Sequence, residues 1–185
     1  PGTGKSHVIA NGMLSSQMRA RLGRTLVVCN SNVGLDSVLS KLKEAQPHRA
    51  REFACRIGYK DKVSTELGEF YLGDVDADVA PYDVVFTTIY RAGRQSGPKV
   101  GGVATELRPW EFDTVIFDEA SRVNEVDVAK VVLRNRASLR LIIFVGDHAQ
   151  LPPIVHSKLE ERGYARSAME RVLDAREAAP HVMLK

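Results

Sequence analysis

The chain opens Pro1-Gly2-Thr3-Gly4-Lys5-Ser6, and Gly4, Lys5 and Ser6 fill the last three places of the phosphate-binding pattern G-x-x-x-x-G-K-[ST]. A turn that opens a helix gathers several backbone N–H groups at one point. The helix dipole adds its positive end there, so negative phosphates settle in the cradle. In such a loop Gly2, Thr3 and Gly4 line the cradle, Lys5 reaches the outer phosphates, and the Ser6 hydroxyl ligates a magnesium ion. The pattern's first glycine would fall ahead of Pro1. Taken alone, G-K-S also recurs by chance, so the string is either a nucleotide site or a coincidence.

Two later clusters bear on that choice. Val115-Ile116-Phe117 runs into two adjacent carboxylates, Asp118 and Glu119. In phosphoryl-transfer enzymes of this kind the first acid holds magnesium and the second can polarise the attacking water. The bland alternative is a strand end made soluble by two acids, which is less attractive with a phosphate loop upstream. The third cluster, Val145-Gly146-Asp147-His148-Ala149-Gln150-Leu151-Pro152-Pro153, again leaves an apolar run. Gln150 there could donate to a terminal phosphate and sense its loss, while the prolines stiffen its loop. A plain strand exit built of turn residues has the same composition.

The elements that must position these groups are short apolar runs: Thr25–Cys29, Asp83–Thr88, Thr114–Glu119, Leu139–Asp147 and His181–Leu184. Continuous β-branched runs without strict alternation are strands covered on both faces, as in a parallel sheet. Between them, helical spacing occurs over Lys5–Leu22, with Val8, Ile9, Met13, Leu14 and Met18 on one side, and more weakly over Leu35–Ala45 and Val126–Arg136. Strand and helix in alternation predict an α/β doubly wound domain with right-handed crossovers and ligands at the carboxyl ends of the strands. Tyr59–Tyr82 lacks a clear period and reads as an insertion with a short helix. Arg91–Arg108, glycine-rich and basic, reads as an exposed loop.

Taken together and in this order, P-G-T-G-K-S, D-E-A-S and G-D-H-A-Q-L-P-P resemble motifs I, II and III of superfamily 1 helicases, closest to the branch of the nonsense-mediated-decay helicase and senataxin. Asn30-Ser31-Asn32-Val33-Gly34-Leu35-Asp36 resembles that branch's motif Ia. Without the resemblance this stretch is a polar turn leading into a helix. The resemblance implies a RecA-like P-loop NTPase domain with a mostly parallel central sheet flanked by helices, using ATP and Mg2+. It assigns Gly2 to Ser6 to nucleotide, Ser6 and Asp118 to the metal, Glu119 to the attacking water and Gln150 to the γ-phosphate. It gives Ser31, Asn32, Thr87 and Thr88 to the backbone of single-stranded RNA or DNA, a task that suits short hydroxyl and amide side chains.

Relative to that family, the strand before the P-loop, an upstream adenine-binding glutamine and the second RecA-like domain are expected beyond both ends of residues 1–185. The expectation is one partial first domain, a monomeric motor within a longer chain. The alternative is a shortened module that binds nucleotide or RNA without turnover, or a non-functional remnant. A GTPase would want N-K-x-D, which is nowhere in the chain.

Composition narrows the rest. A net charge of +3 permits a nucleic-acid partner without requiring one. Arg91, Arg94 and Lys99 either edge a nucleic-acid groove or are scattered charge on a solvated loop. Tyr82, Tyr90 and Trp110 either stack on bases or pack. Two cysteines without C-x-x-C spacing speak against disulfide and zinc frameworks, and His7, His148 and His156 share no metal-ligand spacing. With no apolar run of membrane-span length and no signal sequence, the expected location is cytoplasmic or nuclear.

Overall fold

The computed structural model describes residues 4–74, 76–94, 99–100, 103–104, 110–147, 150–155, 160, 164–175, 180 and 182. Gly2, Thr3 and, of the apolar run at His181–Leu184, all but Val182 lie outside the described residues.

The sheet is built around β1 (Thr25–Cys29), whose five residues are all buried. β4 (Val84–Thr88) pairs parallel with it on one side and β7 (Thr114–Asp118) on the other. Beyond β4 come β2 (Ala54–Ile57) and β3 (Tyr71–Gly73), and beyond β7 comes β8 (Leu141–Val145), giving six parallel strands in the order β3-β2-β4-β1-β7-β8. β5 (Lys99–Val100) and β6 (Val103–Ala104) form a separate antiparallel pair.

Side-chain alternation sends each strand into two cores. Val27 and Cys29 pack with Ile9, Leu14, Leu35, Leu39, Leu42 and Phe53 on one face. The helical segments there are α1 (Lys5–His7), which continues as a π-helical stretch over Val8–Met13, α2 (Ser16–Leu22), α3 (Asn32–Ala45) and α4 (Ala50–Phe53). Leu26 and Val28 face the other way onto Ile89, Phe112, Val128 and Val131. α5 (Ile89–Ala92), α6 (Glu125–Arg134) and α7 (Ala168–Asp174) supply that layer. Burying one such aliphatic side chain is worth about 1.5–3 kcal/mol, so a central strand covered on both faces is the sheet's main thermodynamic anchor.

Three departures from the sequence expectation have local causes. The helix read over Lys5–Leu22 breaks at Leu14–Ser15, where Ser15 turns extended (ψ 154°) and its hydroxyl donates to the Gly12 carbonyl. Asn11-Gly12, a weak helix-forming pair, precedes the break. The segment read as an insertion contributes β3 to the main sheet, after two 3-10 turns at Lys60–Lys62 and Thr65–Phe70. Arg91, read as part of an exposed basic loop, is 3% exposed, ion-paired to Asp74 at 2.8 Å and stacked 3.4 Å over the Tyr59 ring.

Guanidinium groups recur as ties between elements. Arg24 donates to the carbonyls of Glu111 and Val79 (2.9 Å each), pinning loops along the amino ends of the strands. Arg134, at the end of α6, stacks 3.5 Å over Trp110 and donates to the carbonyls of Ala92 (3.2 Å) and Arg94 (3.3 Å). Burial pushes its pKa down to about 10, which still leaves it charged at neutral pH. Trp110 is thereby spent on packing. Arg134→Ala should cost about 3 kcal/mol, through lost packing and two orphaned carbonyls. Arg134→Lys should recover less than half of that loss, since an ammonium cannot stack and fork at once. Urea denaturation midpoints of the three proteins check both statements.

Candidate functional site

Strand register brings the sequence clusters to one level. Cys29 pairs with Thr88 on one side and with Asp118 on the other, and Asp118 pairs with Val145. The segments that leave these four positions therefore emerge side by side along the carboxyl edge of the sheet. They carry Ser31 and Asn32, Thr88, Glu119, and Asp147 with Gln150.

Gly4 takes a left-handed conformation (φ 77°) at the start of α1, and the Val8 N–H bonds back to its carbonyl at 2.9 Å. Lys5 and Ser6 occupy the first turn, both half-buried. Asp118 closes β7 at 3% exposure, and its Oδ1 accepts the Glu119 N–H at 3.0 Å. Burial pushes the Asp118 carboxyl up to about 6, and the neighbouring Glu119 charge adds to this. The Glu119 N–H bond and the positive charge of Lys5 work against it. Lys5 and Asp118, far apart in sequence, are thus within electrostatic reach.

Glu119 is the one non-glycine residue with positive φ among the described residues (φ 53°, ψ 39°). The left-handed conformation costs about 1 kcal/mol for a residue with a Cβ. It ends the strand abruptly, starts the 3-10 turn Ala120–Arg122, and turns the Glu119 side chain toward β1. There the Cys29 thiol donates to Glu119 Oε2 at 3.8 Å. Burial pushes that thiol up to about 12, so it stays protonated and remains a donor.

Gly34, in the first turn of α3, completes the contact. A Cβ at Gly34 would lie 2.7 Å from Cys29 Sγ, 3.0 Å from Ser31 Oγ and 3.5 Å from the Glu119 carboxyl carbon. Only hydrogen fits between the carboxylate and the turn that carries Ser31. On the other side a Cβ at Gly146 would lie 3.1 Å or less from the Ala120 and Ser121 nitrogens, so the β8 exit rests directly on the turn after Glu119.

The remaining candidates divide. Ser31 caps α3, its Oγ accepting the Gly34 N–H at 3.0 Å, and Asn32 follows with its Oδ1 accepting from Arg56 at 2.7 Å. Thr88 is half-buried at the β4 exit. Thr87 is corrected: strand alternation turns it inward, it is fully buried, and its hydroxyl has no partner among the described residues. As folded it cannot touch a strand lying outside. Gln150 is exposed, and its Nε2 donates to Asp147 Oδ2 at 2.9 Å within its own loop, rather than to the phosphate loop. Tyr90 is 72% exposed beside Thr88, whereas Tyr82 packs against the core.

Sequence reasoning missed Cys29, Gly34 and Arg56. Cys29 reads as one more apolar residue of its strand, and Gly34 as helix-weakening, until β1 and β7 are paired.

No group of three or more His, Cys, Asp or Glu side chains converges among the described residues. The two residues expected to hold a metal, Ser6 and Asp118, would supply one hydroxyl and one carboxylate. That donor set fits magnesium, which keeps several waters and takes one or two carboxylates together with substrate phosphates. A buried carboxyl pushed up to about 6 is also one whose charge a cation would settle.

A six-stranded parallel sheet between two helical layers, with a Gly-Lys-Ser helix start and an acid pair at the end of a central strand, defines an α/β domain of the RecA-like P-loop class. The AAA domain family matches residues 74–158. The chain is 31% identical over 169 residues to the DNA replication ATP-dependent helicase/nuclease DNA2 of Saccharomyces cerevisiae, covering 88% of this chain and 10% of that protein. It is 28% identical to the DNA polymerase alpha-associated DNA helicase A of Schizosaccharomyces pombe, over 85% of this chain and 29% of that protein. It is also 28% identical to the putative helicase mov-10-B.1 of Danio rerio, over 96% of this chain and 18% of that protein. The chain spans less than a third of the length of each. It carries a superfamily 1 helicase-like domain.

The raised Asp118 pKa has a definite sign for stability. Between its ordinary value of 3.8 and about 6 the folded state holds a proton that the unfolded chain has released. Stability from this group is therefore greatest at acid pH and falls as pH rises through about 6, by up to ~3 kcal/mol. Asp118→Asn should raise the melting temperature in metal-free buffer at pH 7, and its advantage should shrink as pH is lowered toward 4. Thermal melts at pH 7, 5 and 4 would show an equal gain throughout if buried charge were not the cause.

Proposed function

We propose that the chain is the nucleotide-hydrolysing part of a nucleic-acid helicase or translocase, coupling ATP binding and hydrolysis to a grip on single-stranded RNA or DNA. The observation that carries the reading is the contact between the two halves of the edge. The Glu119 carboxylate meets the Cys29 thiol beside the α3 turn that holds Ser31 and Asn32. In this reading the group that acts on water at the terminal phosphate lies beside the turn that holds the strand, so a shift at either is felt at the other.

In this reading the N–H groups of the α1 start and the Lys5 ammonium hold the phosphates, and Ser6 and Asp118 hold magnesium. Bound magnesium would neutralise charge on the β- and γ-phosphate oxygens. Glu119 polarises the attacking water, its rotamer restricted by the Cys29 thiol and by Gly34. Gln150 leaves Asp147 to meet the γ-phosphate, which makes its loop the part that reports on the nucleotide. Ser31, Asn32 and Thr88 hold phosphates of the strand without reading its sequence.

Placement beside the nonsense-mediated-decay helicase and senataxin rests on Ser31, Asn32 and Asp36 and on the string Gly146–Pro153. The 185 residues are read as part of a first motor domain, working as a monomer. No helix among the described residues is long and apolar enough to cross a membrane, and a cytoplasmic or nuclear site of action fits the proposed substrate.

The test is steady-state ATP hydrolysis with and without oligouridylate or oligothymidylate, on the protein in its native length. Hydrolysis should rise with added strand. Lys5→Ala and Glu119→Gln should each lower kcat by about two orders of magnitude or more. Glu119→Gln should retain nucleotide binding. Strand binding with no turnover in the unaltered protein would replace the motor reading by that of a binding module.

A further inference from the structure

Arg56 is the third residue of β2 and the last of that strand to pair with β4, and none of its surface reaches solvent. A guanidinium only donates, and in a dry interior its N–H groups must be answered. Nε donates to Asp36 Oδ1 at 3.3 Å, Nη1 to the Ile57 carbonyl, and Nη2 to Asn32 Oδ1 at 2.7 Å. Two of these three acceptors stand on the opening turns of α3. Asp36 is itself held from a second side, its Oδ2 accepting the Ser64 N–H at 3.0 Å.

The chemistry of Arg56 decides which way Asn32 faces. An amide beside a guanidinium must present its oxygen, because an N–H2 group there would set donor against donor. With Oδ1 turned inward to Arg56, the Asn32 N–H2 points away from it. Among the described residues no acceptor meets that group. Asn32 is half-buried, between the capping Ser31 and Val33, which is 82% exposed, so the N–H2 stands at the surface.

We infer that Arg56 is a positioning residue for strand binding: by holding the Asn32 oxygen it fixes the Asn32 N–H2 donors toward a phosphate of the bound single strand. The inference rests on the function proposed above and adds to it the device that sets a donor's direction. An asparagine free to rotate would offer a strand its oxygen about as often as its nitrogen, and an oxygen repels a phosphate. Pre-set orientation removes that loss and the rotamer entropy of ordering the side chain on binding.

Asn32→Asp and Arg56→Gln separate this role from mere support of the fold. Asn32→Asp keeps an oxygen on Arg56, now as an ion pair that preserves folding, but has no donors for a phosphate. Arg56→Gln removes the charge while keeping an amide donor. Affinities for labelled oligouridylate and oligothymidylate are read by anisotropy on the native-length protein, beside affinity for a fluorescent ATP analogue and melting temperature.

Asn32→Asp should weaken strand binding about tenfold or more without lowering the melting temperature. Arg56→Gln should weaken strand binding several-fold in the unaltered protein, leave nucleotide affinity where it was, and have no further effect in an Asn32→Ala background. An equal loss from Arg56→Gln in both backgrounds, or tight strand binding by Asn32→Asp, overturns the inference and leaves the motor reading intact. An unaltered protein that binds neither oligonucleotide overturns both. If Arg56→Gln fails to fold, Arg56→Lys, which cannot hold Asp36, the Ile57 carbonyl and Asn32 at once, takes its place in the same two backgrounds.

Discussion

The pairing of β1 with β4 and β7 is the constraint on which the other features depend. Parallel register at Cys29, Thr88 and Asp118 puts three chain exits at one height, and β7 carries the register on to Val145. A slip of one residue would turn every side chain of β1 to the opposite face. It would exchange Val27 and Cys29 for Leu26 and Val28 in two cores of different shape. Because β1 is buried on both faces, no such slip is tolerated, and the chemistry at the strand ends inherits that stiffness.

Against this rigid sheet, the groups at its carboxyl edge are held under some cost. Glu119 adopts a left-handed backbone, Asp118 keeps its carboxyl in a site that resists ionisation, and Gly34 leaves no room for a side chain. Each feature is unfavourable for the fold by itself, and in the proposed function each sits where nucleotide and strand meet. The same economy governs the arginines. Arg24, Arg91 and Arg134 bind loops to helices through carbonyls, an acid and aromatic faces, whereas Arg56 spends its donors on a turn that faces solvent.

Legibility in the sequence followed chemistry. β1, β4, β7 and β8 were readable because β-branched and aromatic runs have few other uses in a soluble chain. β2 was not, because Arg56 interrupts its apolar run, and nothing local says that a guanidinium will be buried and answered by a helix further back in the chain. β3, three residues long, is too short to show a period. The nearly continuous helix expected from Lys5 divides at Ser15, since apolar spacing carries on across a turn that packing imposes.

What the sequence determined alone is the set of chemical groups and their order: a Gly-Lys-Ser helix start, an acid pair after an apolar strand, and a glutamine loop after another. Those depend on residue type and short spacing, which a linear chain displays directly. Only the tertiary structure decided that Cys29 faces Glu119, that Thr87 is a core residue while Thr88 reaches the surface, and that Arg56 turns Asn32 outward. Each of these is a contact between residues brought together by sheet register or by the choice of one strand face over the other. A single sequence carries both faces of a strand at once, and packing chooses between them.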